Sequence, residues 1–127
     1  MKQLKKTTKY KFKGKDPSLL DFFNKPPDLE YVYLEATEVT SLCPITGQPD
    51  YHTIKINYRP TLHCVESKSL KLYLGSFRQE GCFTETLSTI IAHDLSLLLN
   101  TKVEVTVESA SRGGISIKGT SLGGNYE

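Results

Sequence analysis

Apolar and polar positions alternate in two stretches near the middle of the 127-residue chain. Between Leu29 and Val39, Val32, Leu34 and Ala36 interleave with Tyr31, Tyr33 and Glu35, a period of two that predicts a strand. The alternation resumes from Tyr51 to Tyr58 through Ile54 and Ile56, and Arg59-Pro60 closes it. Pro44, Gly47 and Pro49 punctuate Thr40 to Asp50, which predicts a loop between the two strands. After Ser67 the period lengthens. Leu70, Leu74 and Phe77 share one helical face, with Gly81 expected to end the element. Leu87, Ile90, Ile91, Leu95 and Leu98 form a second amphipathic stripe. Val103, Val105 and Val107, then Ile115 and Ile117, predict two more strands, parted by Ser111-Arg112-Gly113-Gly114. The resulting β-β-α-α-β-β order predicts an α+β domain, with two helices on one face of a four-stranded antiparallel sheet. Such a sheet has exposed edges, and joining copies edge to edge removes them, so oligomers are expected.

Composition narrows the class. Lys and Arg number 16 against 14 Asp and Glu, a net charge of +2, which does not suit a binder that relies on bulk charge to hold nucleic acid. Positive charge concentrates at the start, where lysine fills positions 2, 5, 6, 9, 11, 13 and 15. Residues 1–28 read as a basic arm followed by a short hook that Pro26-Pro27 ends, and residues 29–127 as one domain. The arm is either a solvated tail or a contact for phosphates or nucleic acid. No apolar run approaches a membrane span, and no apolar stretch follows Met1-Lys2-Gln3-Leu4-Lys5-Lys6 as a secretory signal requires. With 3 cysteines and no disulfide framework, a cytoplasmic setting is expected.

Four groups of residues could carry chemistry. Cys43 and Asp50 stand seven residues apart in the Pro/Gly-rich loop. A loop that presents backbone N–H groups to Cys43 favours its thiolate, and a nearby Asp50 can deliver a proton to an atom made basic by thiolate attack. The alternative is a buried small Cys43 and a turn-capping Asp50. In Val65-Glu66-Ser67-Lys68-Ser69-Leu70-Lys71, Ser67 is expected to cap the first helix. Lys68 and Lys71 share a face of its first turn, either as a phosphate site or as a solvated surface. Glu85 opens the second helix, either as an ordinary first-turn acid or as an acceptor for two N–H groups of a guanine-like edge. Arg112 precedes Gly113-Gly114 in a tight turn, where a ligand can approach the backbone, or which simply joins two strands. His52, His63 and His93 are scattered and the cysteines lack metal-ligand spacing, so no metal is expected. Glycine-rich dinucleotide and nucleotide-phosphate motifs are absent.

Three separated stretches resemble one family. Thr40-Ser41-Leu42-Cys43-Pro44-Ile45-Thr46-Gly47-Gln48-Pro49-Asp50, Val65-Glu66-Ser67-Lys68-Ser69-Leu70-Lys71-Leu72-Tyr73-Leu74 and Arg112-Gly113-Gly114-Ile115-Ser116-Ile117 look like the NADPH-dependent 7-cyano-7-deazaguanine reductases, the nitrile reductases of queuosine biosynthesis, in their single-domain form. The resemblance implies a tunnelling fold, with pentameric rings stacked as a decamer and active sites between subunits. It implies Cys43 as the nucleophile that forms a thioimide with the nitrile and Asp50 as the proton donor. Val65, Glu66, Ser67, Thr84 and Glu85 match substrate-binding positions, and Lys68, Lys71 and Arg112 match those that hold the phosphates of NADPH. Thr84 stands where the family usually has histidine, and Gly75 and Cys82 replace a bulky apolar residue and an acid. Two further readings stay open. One is a QueF-like amidinotransferase that adds ammonia to the thioimide, making an archaeosine-type base in tRNA or phage DNA, the one reading with a nucleic-acid partner. The other is a non-catalytic nucleobase-binding module.

Overall fold

A computed structural model describes residue 12 and residues 14–124. Most of the lysine-rich arm lies outside the described residues. The four-stranded antiparallel sheet runs in the order β2 (Val32–Leu42), β3 (Pro49–Tyr58), β5 (Val103–Ser109) and β6 (Lys118–Gly123). Helices α1 (Ser67–Gly75) and α2 (Thr84–Leu99) follow β3 in the chain. This is the expected β-β-α-α-β-β order. A two-stranded ribbon is added to it, β1 (Phe22–Asn24) against β4 (His63–Val65).

The period-2 stretches form strands because one face of the sheet is buried. Ile54, Ile56, Tyr58, Val103, Val105 and Val107 face inward onto Leu87, Ile91, Leu95 and Leu99 of α2 and Tyr73 and Phe77 of the α1 region, all buried. The opposite face is polar, with Glu35 paired to Lys55 and Lys55 to Thr106 in register. A bulge between Ala36 and Val39, with Glu38 at φ 63°, shifts the inward positions from even to odd numbers along β2.

Several boundaries differ from the sequence-based expectations. The strands reach into the expected loop, which shrinks to residues 43–48, because buried Ser41 finds a polar partner across the ladder in His52. Helix α1 stops at Gly75, a 3-10 turn covers Ser76–Gln79, and Gly81 forms a parallel bridge with Leu42 instead of ending a helix. Ile115 and Ile117 do not begin the last strand: they are exposed, and β6 starts at Lys118. The inward positions of β6 are Gly119, Ser121 and Gly123, small because α2 lies close. A Cβ on Gly123 would fall 2.0 Å from the Ala92 carbonyl oxygen, and one on Gly119 would stand 3.4 Å from Glu85 Cα.

The hook is tied to the start of α1. A 3-10 turn at Pro17–Leu19 leads to buried Leu20. The Asp21 N–H donates to Ser69 Oγ at 2.9 Å, and the Asp21 carbonyl accepts from Glu66 N–H at 2.9 Å.

Candidate active site at the end of the first hairpin

Cys43 leaves β2 where Ser41 pairs with Asp50 of β3. The loop is closed by two backbone bonds, Cys43 N–H to Gln48 C=O at 2.8 Å and Gly47 N–H to Cys43 C=O at 2.9 Å. Gly47 adopts φ 73°, a left-handed conformation that glycine takes without strain. The turn directs donors at the sulfur. The Thr46 hydroxyl and the N–H groups of Thr46 and Ile45 hold the Cys43 thiol below its ordinary pKa, while burial and the Asp50 charge oppose the shift. Cys43 is half-buried and a free thiol. Burial pushes the Cys82 thiol up, so the two cysteines are shifted in opposite directions.

Asp50 meets a partner from the far end of the chain. Arg112 Nη1 donates to Asp50 Oδ1 at 2.6 Å, and Arg112 Nη2 donates to Gln48 Oε1. Gly113 and Gly114, at φ 60° and 80°, make the two-residue turn that returns the chain at Arg112, and Arg112 and Ile115 exchange both backbone bonds. Arg112 is therefore tied to both ends of the turn that follows Cys43, at Gln48 and Asp50. Sequence reasoning missed this contact, and no local signal carries a pairing across 62 residues.

The start of α2 comes to the same place. Leu42 N–H donates to Glu80 C=O at 2.7 Å and Cys82 N–H to Leu42 C=O at 3.0 Å, which pins residues 80–82 beside Cys43. Thr84 and Glu85 follow directly as the first turn of α2, Thr84 buried and Glu85 exposed. Cys43, Asp50, Thr84, Glu85 and Arg112 thus gather at one end of the sheet.

The remaining residues lie at the other end of α1. Glu66, not Ser67, is its N-cap: its carboxylate accepts from Lys68 N–H at 2.7 Å and Ser69 N–H at 2.8 Å. Carboxylate oxygens reach both orphan amides, and the buried Ser69 hydroxyl returns to the Glu66 carbonyl at 2.7 Å, so Ser67 is left exposed as the first helical residue. Val65 N–H donates to Tyr58 Oη at 3.0 Å, and burial pushes the Tyr58 phenol up to about 12. Lys68 is half-buried and Lys71 exposed. Lys71 lines a groove of about 420 Å³ together with Ser67, Gly75 and Arg78 from the α1 side and Glu35 and Glu38 from β2.

Among the described residues no group of His, Cys, Asp and Glu could hold a metal, and no helix is long and apolar enough to cross a membrane.

The profile of a family described as "QueF-like protein" matches residues 49–122. An NADPH-dependent 7-cyano-7-deazaguanine reductase of Bacteroides thetaiotaomicron is 54% identical over 104 residues, spanning 80% of this chain and 69% of that protein. This chain belongs to that reductase family. A Neisseria meningitidis protein of the same name is 52% identical over 107 residues, covering 82% of this chain and 68% of the relative. The crystal structure of the archaeosine synthase QueF-Like in its apo form superposes with a TM-score of 0.71, over 81% of this chain and 100% of that one, at 23% identity. At that identity the likeness is one of fold, which is the tunnelling fold that the reductase motifs imply.

Proposed function

We propose that this QueF-family chain reduces the nitrile of 7-cyano-7-deazaguanine to the primary amine of 7-aminomethyl-7-deazaguanine, using two molecules of NADPH. The observation that carries the mechanism is the half-buried Cys43 thiol, which receives the Thr46 hydroxyl and the Thr46 and Ile45 amides that lower its pKa, in the loop that joins it to Asp50. The Asp50 carboxylate takes the proton of the Cys43 thiol, the resulting thiolate adds to the nitrile carbon as one carbon–nitrogen π bond breaks, and Asp50 passes that proton on to the nitrogen. The product is a thioimide bound to Cys43. Bound NADPH would supply the two hydrides in turn, the first reducing the carbon held by Cys43 so that its thiolate leaves, the second completing the amine. Two NADPH and two protons are consumed per nitrile, and two NADP⁺ leave. Arg112 holds Asp50 Oδ1 in place beside the sulfur.

Glu85, exposed at the first turn of α2, is the acceptor for the N–H groups of the deazaguanine edge, with Thr84 beside it. Lys68 and Lys71 suit the phosphates of NADPH, because the two cations share the first turn of α1 and Lys71 borders an open groove. Arg112, the third phosphate position that the family motifs imply, is engaged by Asp50 and Gln48 and would have to leave them to reach the cofactor.

Val65, Glu66 and Ser67 stand across the length of α1 and the 3-10 turn from Cys43. A substrate on Cys43 would meet them from a neighbouring copy. Among the described residues β2 and β6 are the outer strands of the sheet, which supports joining copies side by side, in pentameric rings that stack as a decamer with sites at the seams. Residues 29–127 form the catalytic unit in this reading, and the hook clasps it. Three free thiols suit the reducing cytoplasm.

The test is stoichiometry. Purified protein with 7-cyano-7-deazaguanine should oxidise two NADPH per amine formed, and a thioimide of the corresponding added mass should accumulate when NADPH is withheld. Cys43→Ala should form no adduct and reduce no nitrile. Untouched NADPH, together with amidine formation from ammonia and a modified polynucleotide, would instead establish the amidinotransferase reading.

A further inference from the structure

Directly behind the catalytic loop lies a buried polar pair that the reaction does not use. Ser41 Oγ and His52 Nε2 are 2.8 Å apart, and the two residues are 0% and 2% exposed. Ser41 precedes Cys43 by two residues and pairs in register with Asp50, and His52 follows Asp50 by two. Positions two apart on a strand share a face, so the pair occupies the inward sites next before Cys43 and next after Asp50. It ties the two strands together close to the end of their ladder, which runs on to Leu42 and Pro49.

The other nitrogen of the ring is informative. His52 Nδ1 is buried with no hydrogen-bond partner among the described residues. A neutral imidazole can meet this with Nδ1 as a bare acceptor and one bond to Ser41. With Nδ1 bare, Nε2–H is the donor to Ser41 Oγ, and a protonated ring would add a second N–H at Nδ1 where no acceptor stands among the described residues. Burial accordingly pushes His52 down, and the Asp50 charge partly opposes this. The other titratable groups near the ring are Glu38 at the β2 bulge, Tyr51 on β3 and Glu108 on β5, which line a cavity that His52 borders, and Cys43 beyond Ser41. None of them hydrogen-bonds Nδ1.

We propose that His52 is a positioning residue: its neutral ring locks Ser41 and thereby fixes the strand register that holds Cys43 beside Asp50. The inference rests on the reading of Cys43 and Asp50 as the reacting pair. It implies that the hairpin loosens as pH falls and the ring charges, giving the reaction an acidic limb that belongs to His52.

Three proteins are compared: wild type, His52→Ala and His52→Gln. Their readouts are the rate of thioimide formation without NADPH, the KM for NADPH, and hydrogen exchange at the Cys43 amide, which is bonded to the Gln48 carbonyl. Losing the buried bond in His52→Ala should slow thioimide formation about tenfold and speed Cys43 exchange by a similar factor, with KM unchanged. Glutamine carries an amide that can reach Ser41 and cannot titrate. His52→Gln should therefore restore most of the rate while flattening the acidic limb, which lies below the ordinary histidine value because burial lowers His52. Wild-type exchange and thioimide rates in His52→Ala would overturn the proposal. So would a variant that loses secondary structure and is not rescued by glutamine, or an acidic limb that persists in His52→Gln. Hydrogen exchange needs no substrate, so a protein that forms no thioimide but shows the exchange pattern would refute the nitrile chemistry and leave the positioning role standing.

Discussion

The two ends of α1 use the same kinds of side chain in opposite ways. At the hairpin end, polar groups converge on a half-buried thiol: Thr46 and Ile45 donate to Cys43, and Arg112 reaches Asp50 from another strand pair. At the helix start, polar groups are consumed by the backbone. Glu66 accepts from two amides, Ser69 exchanges bonds with the hook, and the Val65 amide is held by Tyr58. A carboxylate at a helix N-terminus satisfies orphan amides and the helix dipole at once, so its first task there is structural. What the helix start offers a ligand is the exposed Ser67 and the two lysines. In the proposed reading the hairpin end does the bond chemistry and the helix start presents charge.

Removing that charge should give the largest effect that separates the two regions. Lys68→Ala combined with Lys71→Ala should raise the apparent KM for NADPH about tenfold or more, as expected when phosphate contacts are lost, and leave thioimide formation at the wild-type rate. Steady-state kinetics with varied NADPH, beside single-turnover adduct formation, measures both quantities. Equal loss in the two assays would show that the lysines support the fold of α1, and would erase the contrast between its ends.

The contrast also marks what could be read from the chain alone. The alternation through Ile54, Ile56, Val103, Val105 and Val107 was legible because each fills a pleat against α2. Cys43, Asp50 and Glu85 could be singled out because their residue types are reactive wherever they lie. What stayed hidden depended on a partner distant in the chain. Gly119 and Gly123 carry no apolar signal, since α2 runs too close for side chains, and so the last strand was misplaced onto Ile115 and Ile117. The capping role passed from Ser67 to Glu66 because the Glu66 side chain can span both amides from outside the helix. Arg112 met Asp50 through a turn whose reach depends on the register of β5 and β6.

A smaller effect is expected from the cap itself. Glu66→Ala removes the acceptor for two amides and should lower stability by about 1–2 kcal/mol, seen as a lower Tm in thermal unfolding. Glu66→Asp, which keeps a capping carboxylate, should recover part of that loss. If Glu66→Ala instead melts like wild type while its KM for 7-cyano-7-deazaguanine rises, the carboxylate serves the substrate and the helix start is less purely structural than its hydrogen bonds indicate.

The smallest effect tests the hairpin end by one hydroxyl. Thr46→Val keeps the shape of the side chain and removes the donor that does most to hold the Cys43 pKa down. With that donor gone the pKa rises, so the thiolate fraction at neutral pH falls. The midpoint of iodoacetamide alkylation should move to higher pH, and thioimide formation at pH 7 should slow by a few-fold, with the two NADPH-facing lysines unaffected. The two backbone donors remain in this variant, so reactivity should fall and not vanish. An unchanged alkylation midpoint would mean that the turn amides alone activate the thiol. The asymmetry between the two ends of α1 would then rest on backbone geometry at both, with side-chain donors as refinements.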